Sequence, residues 1–219
     1  MREMFQFELQ EVQNRLVDIA ESVVDIIENG TAAFCQTDKK KADYALAAVD
    51  AISEKALALD ELVIRILSLQ SPVAVDLRIL VSTLRISNSL ERMASYAGHI
   101  AAIARYRYPK AAVPEALEDT FDEMSRLAVR LARKTQKLLK NTSVDLARKI
   151  QAEDARVDEL HREVFDAVLS PKWEENAVYT VDVTLASRYL ERFADHVVDI
   201  SSKVSYLTTA DWSDSDTDD

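Results

Sequence analysis

The chain has 219 residues, 48% of them apolar, with only two glycines and four prolines. Tight hairpins and strand-to-helix loops draw on glycine at positive φ, so a sheet of any size is not expected, and Gly30 and Gly98 stand too far apart for a phosphate or dinucleotide loop. A formal net charge of −11 disfavours nucleic acid phosphates and anionic lipid headgroups as partners, and the single Cys35 leaves no internal disulfide and no thiolate metal cluster.

Phe5, Leu9, Val12, Leu16, Ile19, Val23 and Ile26 alternate steps of four and three, the stripe of a long bundle helix. Asp38 offers an N-cap to a second helix that runs to about Gln70. Ser71-Pro72 reads as an N-cap followed by proline at the first helical position of a third helix, which ends near Arg107. Pro109 and Pro114 bracket a short linker. A fourth helix is predicted from Glu115 to Lys140, with Arg and Lys in its last turns, where the helix dipole favours them. Asn141-Thr142-Ser143 is a turn and cap, a fifth helix reaches Leu169, and after Pro171 a sixth spans about Asn176 to Thr209. The acidic run from Asp211 lacks periodicity and is expected to be disordered. No apolar stretch has the length of a membrane span and no signal peptide opens the chain, so a cytoplasmic protein without membrane insertion is expected.

The second half repeats the first. Ser87, Leu90, Glu91, Arg92, Ala94 and Ile100 recur at an offset of 100 as Ser187, Leu190, Glu191, Arg192, Ala194 and Ile200. Matching apolar and polar positions together indicate duplication of a structural unit. The expected fold is all-α: a three-helix repeat over 1–108, a second over 114–209, and a tail over 210–219.

Candidate chemistry gathers on the last helix. Glu191 and Asp195 are one turn apart, and Asp199 continues their ridge away from the buried stripe. Like charges at this spacing repel, and a hard cation would turn that cost into a gain. On spacing alone the ridge reads as a solvated face, with Arg188 and Arg192 making surface ion pairs. The duplication adds weight to a site, although Glu91 in the first copy is followed by Ser95 where an acid would complete the pair. Asp154 and Asp158 on the neighbouring helix, and Asp50 and Glu54 in the first unit, are further pairs that could complete a site if their ridges face the same groove. The Glu-x-x-His steps of a ferritin-like di-iron centre are missing. His196 could be a ligand or a phosphoacceptor, but a partly exposed helix histidine is the plainer reading. Cys35 reads as a small core residue rather than a nucleophile. With no nucleophile–base pair, no enzyme activity is expected.

The run Leu69-Gln70-Ser71-Pro72-Val73-Ala74-Val75-Asp76-Leu77-Arg78, followed by Leu90-Glu91-Arg92, resembles the first repeat of the PhoU family. Tyr189-Leu190-Glu191-Arg192-Phe193-Ala194-Asp195-His196 resembles the second. The resemblance covers about residues 5 to 207 and is nearest to the actinobacterial type. It implies two similar three-helix bundles. It further implies a negative regulator of phosphate uptake and of the phosphate-starvation response, which binds the ATPase of the high-affinity phosphate transporter and a sensor histidine kinase. Some family members bind metal through a Glu/Asp-x-x-x-Asp step in each repeat. That step is complete in Glu191 and Asp195 and only half present in Glu91. Asp154, Asp158 and Asp199 are the remaining candidate ligands, for a divalent or ferric ion (Mg, Mn, Fe or Zn). A homodimer is expected, and the alternative function is a metal-binding bundle with a storage or structural role.

Overall fold

The computed structural model describes residues 2–141 and 143–209. Six helices follow one another: α1 Arg2–Gln36, α2 Lys39–Gln70, α3 Ala74–Arg107, α4 Glu118–Lys140, α5 Val144–Leu169 and α6 Ala177–Thr209, with no strand among the described residues. The acidic run from Asp211 lies outside the described residues.

The heptad stripes become the core. Val12, Leu16, Ile19, Val23 and Ile26 of α1 are buried, as are Leu190, Phe193, Val197, Ile200 and Val204 of α6. α2 packs on α1 and α3, and α5 packs on α4 and α6, so each half is a three-helix bundle. The halves join where equivalent helices meet, α1 on α4 and α3 on α6. Both pairs run antiparallel: Glu28 reaches Arg133 while Gln13 reaches the Leu139 carbonyl, and Ser89 reaches Asp199 while Arg107 pairs with Asp182. Helix meeting its own equivalent in antiparallel sense places a local two-fold between the bundles. Phe34 and Phe121 pack edge-to-face at 5.2 Å across the α1–α4 contact.

Local signals set the ends. Asp38 Oδ1 accepts from the Lys40 and Lys41 amides at 2.9 and 3.2 Å. Asn176 accepts from Val178 and Tyr179, and Ser143 accepts from Leu146, so α6 and α5 are capped. Two boundaries differ from expectation. Ser71 does not cap α3: it closes α2 in the left-handed region at φ 44°, and α3 begins at Ala74 behind Val73, whose side chain caps nothing. The following Pro72 disfavours right-handed helix at Ser71, so the chain turns there before the next helix starts. The fourth helix begins at Glu118, after a single 3-10 turn over Glu115–Leu117. Gly30 answers a packing need. A Cβ there would lie 2.8 Å from the Ala97 carbonyl oxygen, so α1 and α3 approach more closely than any other residue would allow.

Candidate functional site

Two helices build the site of the second bundle. Along α5, Asp154, Asp158 and His161 follow steps of four and three on the edge facing α6. From α6, Glu191 and Asp195 face back. Burial and mutual repulsion act on three of these acids, Asp154, Glu191 and Asp195. Burial foremost, then the charges of Asp158, Asp195 and Glu191, pushes the Asp154 carboxyl up to about 7. Burial followed by the neighbouring acids also raises Glu191 and Asp195, with Arg188 and Arg192 opposing. Arg188 pairs with Glu191 through Oε1 alone. Glu191 Oε2 and Asp154 Oδ1 are sealed from solvent without any hydrogen-bond partner. His161 Nδ1 lies 3.0 Å from Ser187 Oγ, and burial, then Arg188, lowers its pKa, so the ring is held neutral beside the acids.

Asp199 does not join them. Each four-residue step turns about 40° around the helix, and after two steps Asp199 has moved from the α5 side to the α3 side. There it accepts from Ser89 at 2.6 Å and pairs with Lys203; these bonds outweigh burial and lower its pKa. Of the acids on α6, the structure therefore brings Glu191 and Asp195 to α5 and leaves Asp199 out.

The first bundle builds the same groove from different residues. The buried positions Ala56, Leu59 and Val63 of α2 correspond in register to Val157, Leu160 and Val164 of α5. Ser53 then stands where Asp154 stands, Leu57 where Asp158 stands, and Asp60 where His161 stands. Ser53 donates to Glu91 at 2.8 Å, and Asp60, raised by burial and then by Glu91, keeps Oδ1 buried and unpartnered. Asp50 and Glu54 are exposed, and it is Ser53 and Asp60 that meet Glu91. Asp60 escaped the sequence reading, although Val49, Ser53, Ala56 and Asp60 mark a helical edge at steps of four, three and four. Ser95 Oγ turns to His99 at 3.5 Å. Cys35 is half-buried against Ser125, and burial foremost pushes its thiol up to about 11, which leaves it un-ionised and inert at neutral pH.

Among the described residues, no three His, Cys, Asp or Glu side chains are drawn together closely enough to hold a metal ion as they stand. The donor set of the second bundle nonetheless suits a hard cation. Its orphaned carboxylate oxygens lack positive charge, and Asp154, Asp158, Glu191 and Asp195 supply oxygen ligands from two rigid helices.

Comparison with known proteins places this architecture. The PhoU domain matches twice, over residues 16–104 and 121–204. The chain is 34% identical over 209 residues to the phosphate-specific transport system accessory protein PhoU homolog 2 of Mycobacterium tuberculosis, covering 95% of this chain and 98% of that protein. It is 32% identical over 217 residues to PhoU homolog 1 of Mycobacterium leprae, covering 99% and 98%. The fold matches the crystal structure of PhoU from Pseudomonas aeruginosa at 22% identity, with a TM-score of 0.86 over 94% of this chain and 100% of that one. It matches the PhoU structure from Streptococcus pneumoniae, also at 22% identity, with a TM-score of 0.84 over 95% and 98%. Among the described residues no helix is long and apolar enough to cross a membrane. With both repeats matched and the relatives spanned nearly end to end, the chain belongs to the PhoU family.

Proposed function

We propose that this protein is the regulatory accessory of a phosphate-specific transport system, holding down phosphate uptake and the starvation response when phosphate is plentiful. In this reading it works in the cytoplasm, as a homodimer, by binding the transporter's ATPase subunit and a sensor histidine kinase, and it performs no catalysis of its own. The observation that carries the reading is the 34% identity along nearly the whole chain to a protein named for that transport system. A protein acting without chemistry must bind two conformations of a partner unequally, and long grooves between amphipathic helices suit that task. Deleting the gene should switch on phosphatase expression in phosphate-rich medium; unchanged repression would overturn the proposal.

Metal binding at the second bundle is part of the same proposal. Asp154, Asp158, Glu191 and Asp195 would hold a divalent or ferric ion, supported by the unpartnered Asp154 Oδ1 and Glu191 Oε2. The same observation favours a second reading, a metal-binding bundle with a storage or structural role. A Glu191→Ala/Asp195→Ala variant separates the two. Normal repression by that metal-free variant would make metal incidental to regulation, whereas several tightly held ions with no effect of deletion on repression would favour storage.

A further inference from the structure

We infer that the acidic segment following α6, residues 210–219, docks in cis on a basic surface at the turn between α4 and α5. The chain carries 38 acids against 27 bases, yet eight of those bases fall within residues 126–149, where Asp145 is the sole acid. Arg130 and Lys134 share Glu153, and Arg133 reaches Glu28. Lys137 and Lys140 at the end of α4, and Arg148 and Lys149 near the start of α5, are exposed and have no ion pair among the described residues. The helix dipole favours the two lysines in the last turn of α4 but gives no reason for two cations in the second turn of α5. Nor does α1 neutralise this end of α4. The ridge that meets it carries amides: Gln13 donates to the Leu139 carbonyl, and Gln10 donates to Asn14 at 3.1 Å.

α6 ends beside the same turn. His161 meets Ser187, and α5 and α6 run antiparallel, so the start of α5 stands level with Val204, and α6 continues to Thr209. The segment that follows holds Asp211, Asp214, Asp216, Asp218 and Asp219 and no base. Its ten residues span at most about 35 Å when extended, while neighbouring helix axes lie about 8–10 Å apart, so the later aspartates can cross the end of α4 and reach all four cations. Tethering holds the segment at an effective concentration on the order of millimolar, which lets individually weak surface pairs act together. Occupied in this way, the basic tip is closed to acidic partners, and release of the segment would open it.

Carbodiimide coupling of the full chain at low salt, with the joined peptides read by mass spectrometry, tests the contact. Amide bonds from the aspartates of 211–219 to Lys137, Lys140 or Lys149 are expected, and their yield should fall about fivefold or more in about 0.5 M sodium chloride, where screening is strong. Arg148→Gln removes charge without removing an amine and should lower the yield about twofold, whereas Arg162→Gln, an exposed control farther along α5, should leave it unchanged. A mixture of isotopically heavy and light chains, refolded together, separates the possible occupants. Joined peptides of a single isotope are expected; mixed pairs would place the segment on a second copy and overturn the inference. Coupling spread evenly over other exposed lysines such as Lys40, Lys110 and Lys172, or a yield indifferent to salt and to Arg148→Gln, would overturn it as well.

Discussion

The two bundles share a backbone plan but have diverged in opposite directions at their grooves and interiors. The second bundle gathers Asp154, Asp158, Glu191 and Asp195 in one groove, where burial first and the neighbouring charges second hold the Asp154 carboxyl at about 7. The first has replaced three of those acids in register with Ser53, Leu57 and Ser95. It keeps Glu91 and adds Asp60. In the interior the contrast reverses. Both glycines lie in the first bundle, where α1 and α3 meet at Gly30 and α2 and α3 at Gly98, while the second bundle has none. Duplication preserved the packing stripe and let the polar edges drift, because a groove edge tolerates changes that a core position does not.

Metal titration is the most severe way to break this contrast. Asp154→Ala/Glu191→Ala should weaken manganese binding by more than about 100-fold, since losing even groups that only support a ligand costs about 10–100-fold. Glu91→Ala should leave the tight site in place. The converse experiment restores the acids: Ser53→Asp/Leu57→Asp/Ser95→Asp should raise the stoichiometry of tight binding by one ion per chain, read by calorimetry. Equal losses from the two bundles would show that the groove acids do not set the difference.

The glycine contrast is next in size. Gly30→Ala should destabilise by about 1–3 kcal/mol in urea unfolding, the usual cost of overpacking, because its Cβ would meet the Ala97 backbone oxygen at 2.8 Å and neither helix backbone can give way cheaply. Gly98→Ala should cost less. There the obstacle is Val49 Cγ2, also at 2.8 Å, which a rotamer change can move aside.

Most of the fold was legible because it depends on spacing. The heptad stripe from Phe5 to Ile26 and the duplication around Leu90 and Leu190 specify helices and their buried faces, and Asp38 marks a start through its own hydrogen bonds. Ser71 was misread because the same residue can open one helix or close the one before, and only the neighbouring Pro72 and the three-dimensional turn decide. At the candidate site the pairing of Glu191 with Asp195 follows from the helical period. The rotation that carries Asp199 to the α3 side also follows from that period, once its 40° drift is added over two steps. What periodicity does not contain is the register between helices. Whether Asp50 or Asp60 meets Glu91 depends on how far α2 slides along α3, and that is set by core contacts distributed over both.

A smaller effect sharpens the electrostatic side of the contrast. The folded-state pKa of Asp154, about 7, lies above the ordinary carboxylate value of about 3.9, so its contribution to stability is complete below pH 4 and is lost as pH rises through 7. In chelator, the melting temperature of Asp154→Asn relative to the parent should therefore climb between pH 5 and pH 8. The first bundle has Ser53 at the equivalent position, and Ser53→Ala should show no such trend. A difference that stays flat for Asp154→Asn would mean that burial and the neighbouring acids do not raise this carboxyl in the metal-free protein.

The smallest expected difference lies at the caps of the two outer helices, α2 and α5. Asp38 accepts from two amides at 2.9 and 3.2 Å, and Ser143 accepts from one at 3.4 Å. The carboxylate of Asp38 also carries a full negative charge against the positive end of the helix dipole, which the Ser143 hydroxyl does not. Asp38→Ala should accordingly cost about 1 kcal/mol and Ser143→Ala about half of that, measured as the shift in urea midpoint at constant slope. Asp38→Asn separates the two contributions, because it keeps a side-chain acceptor and removes the charge. A cost between those of the parent and Asp38→Ala assigns part of the cap to the dipole, and a cost equal to that of Asp38→Ala would mean that the acceptor oxygen alone adds nothing.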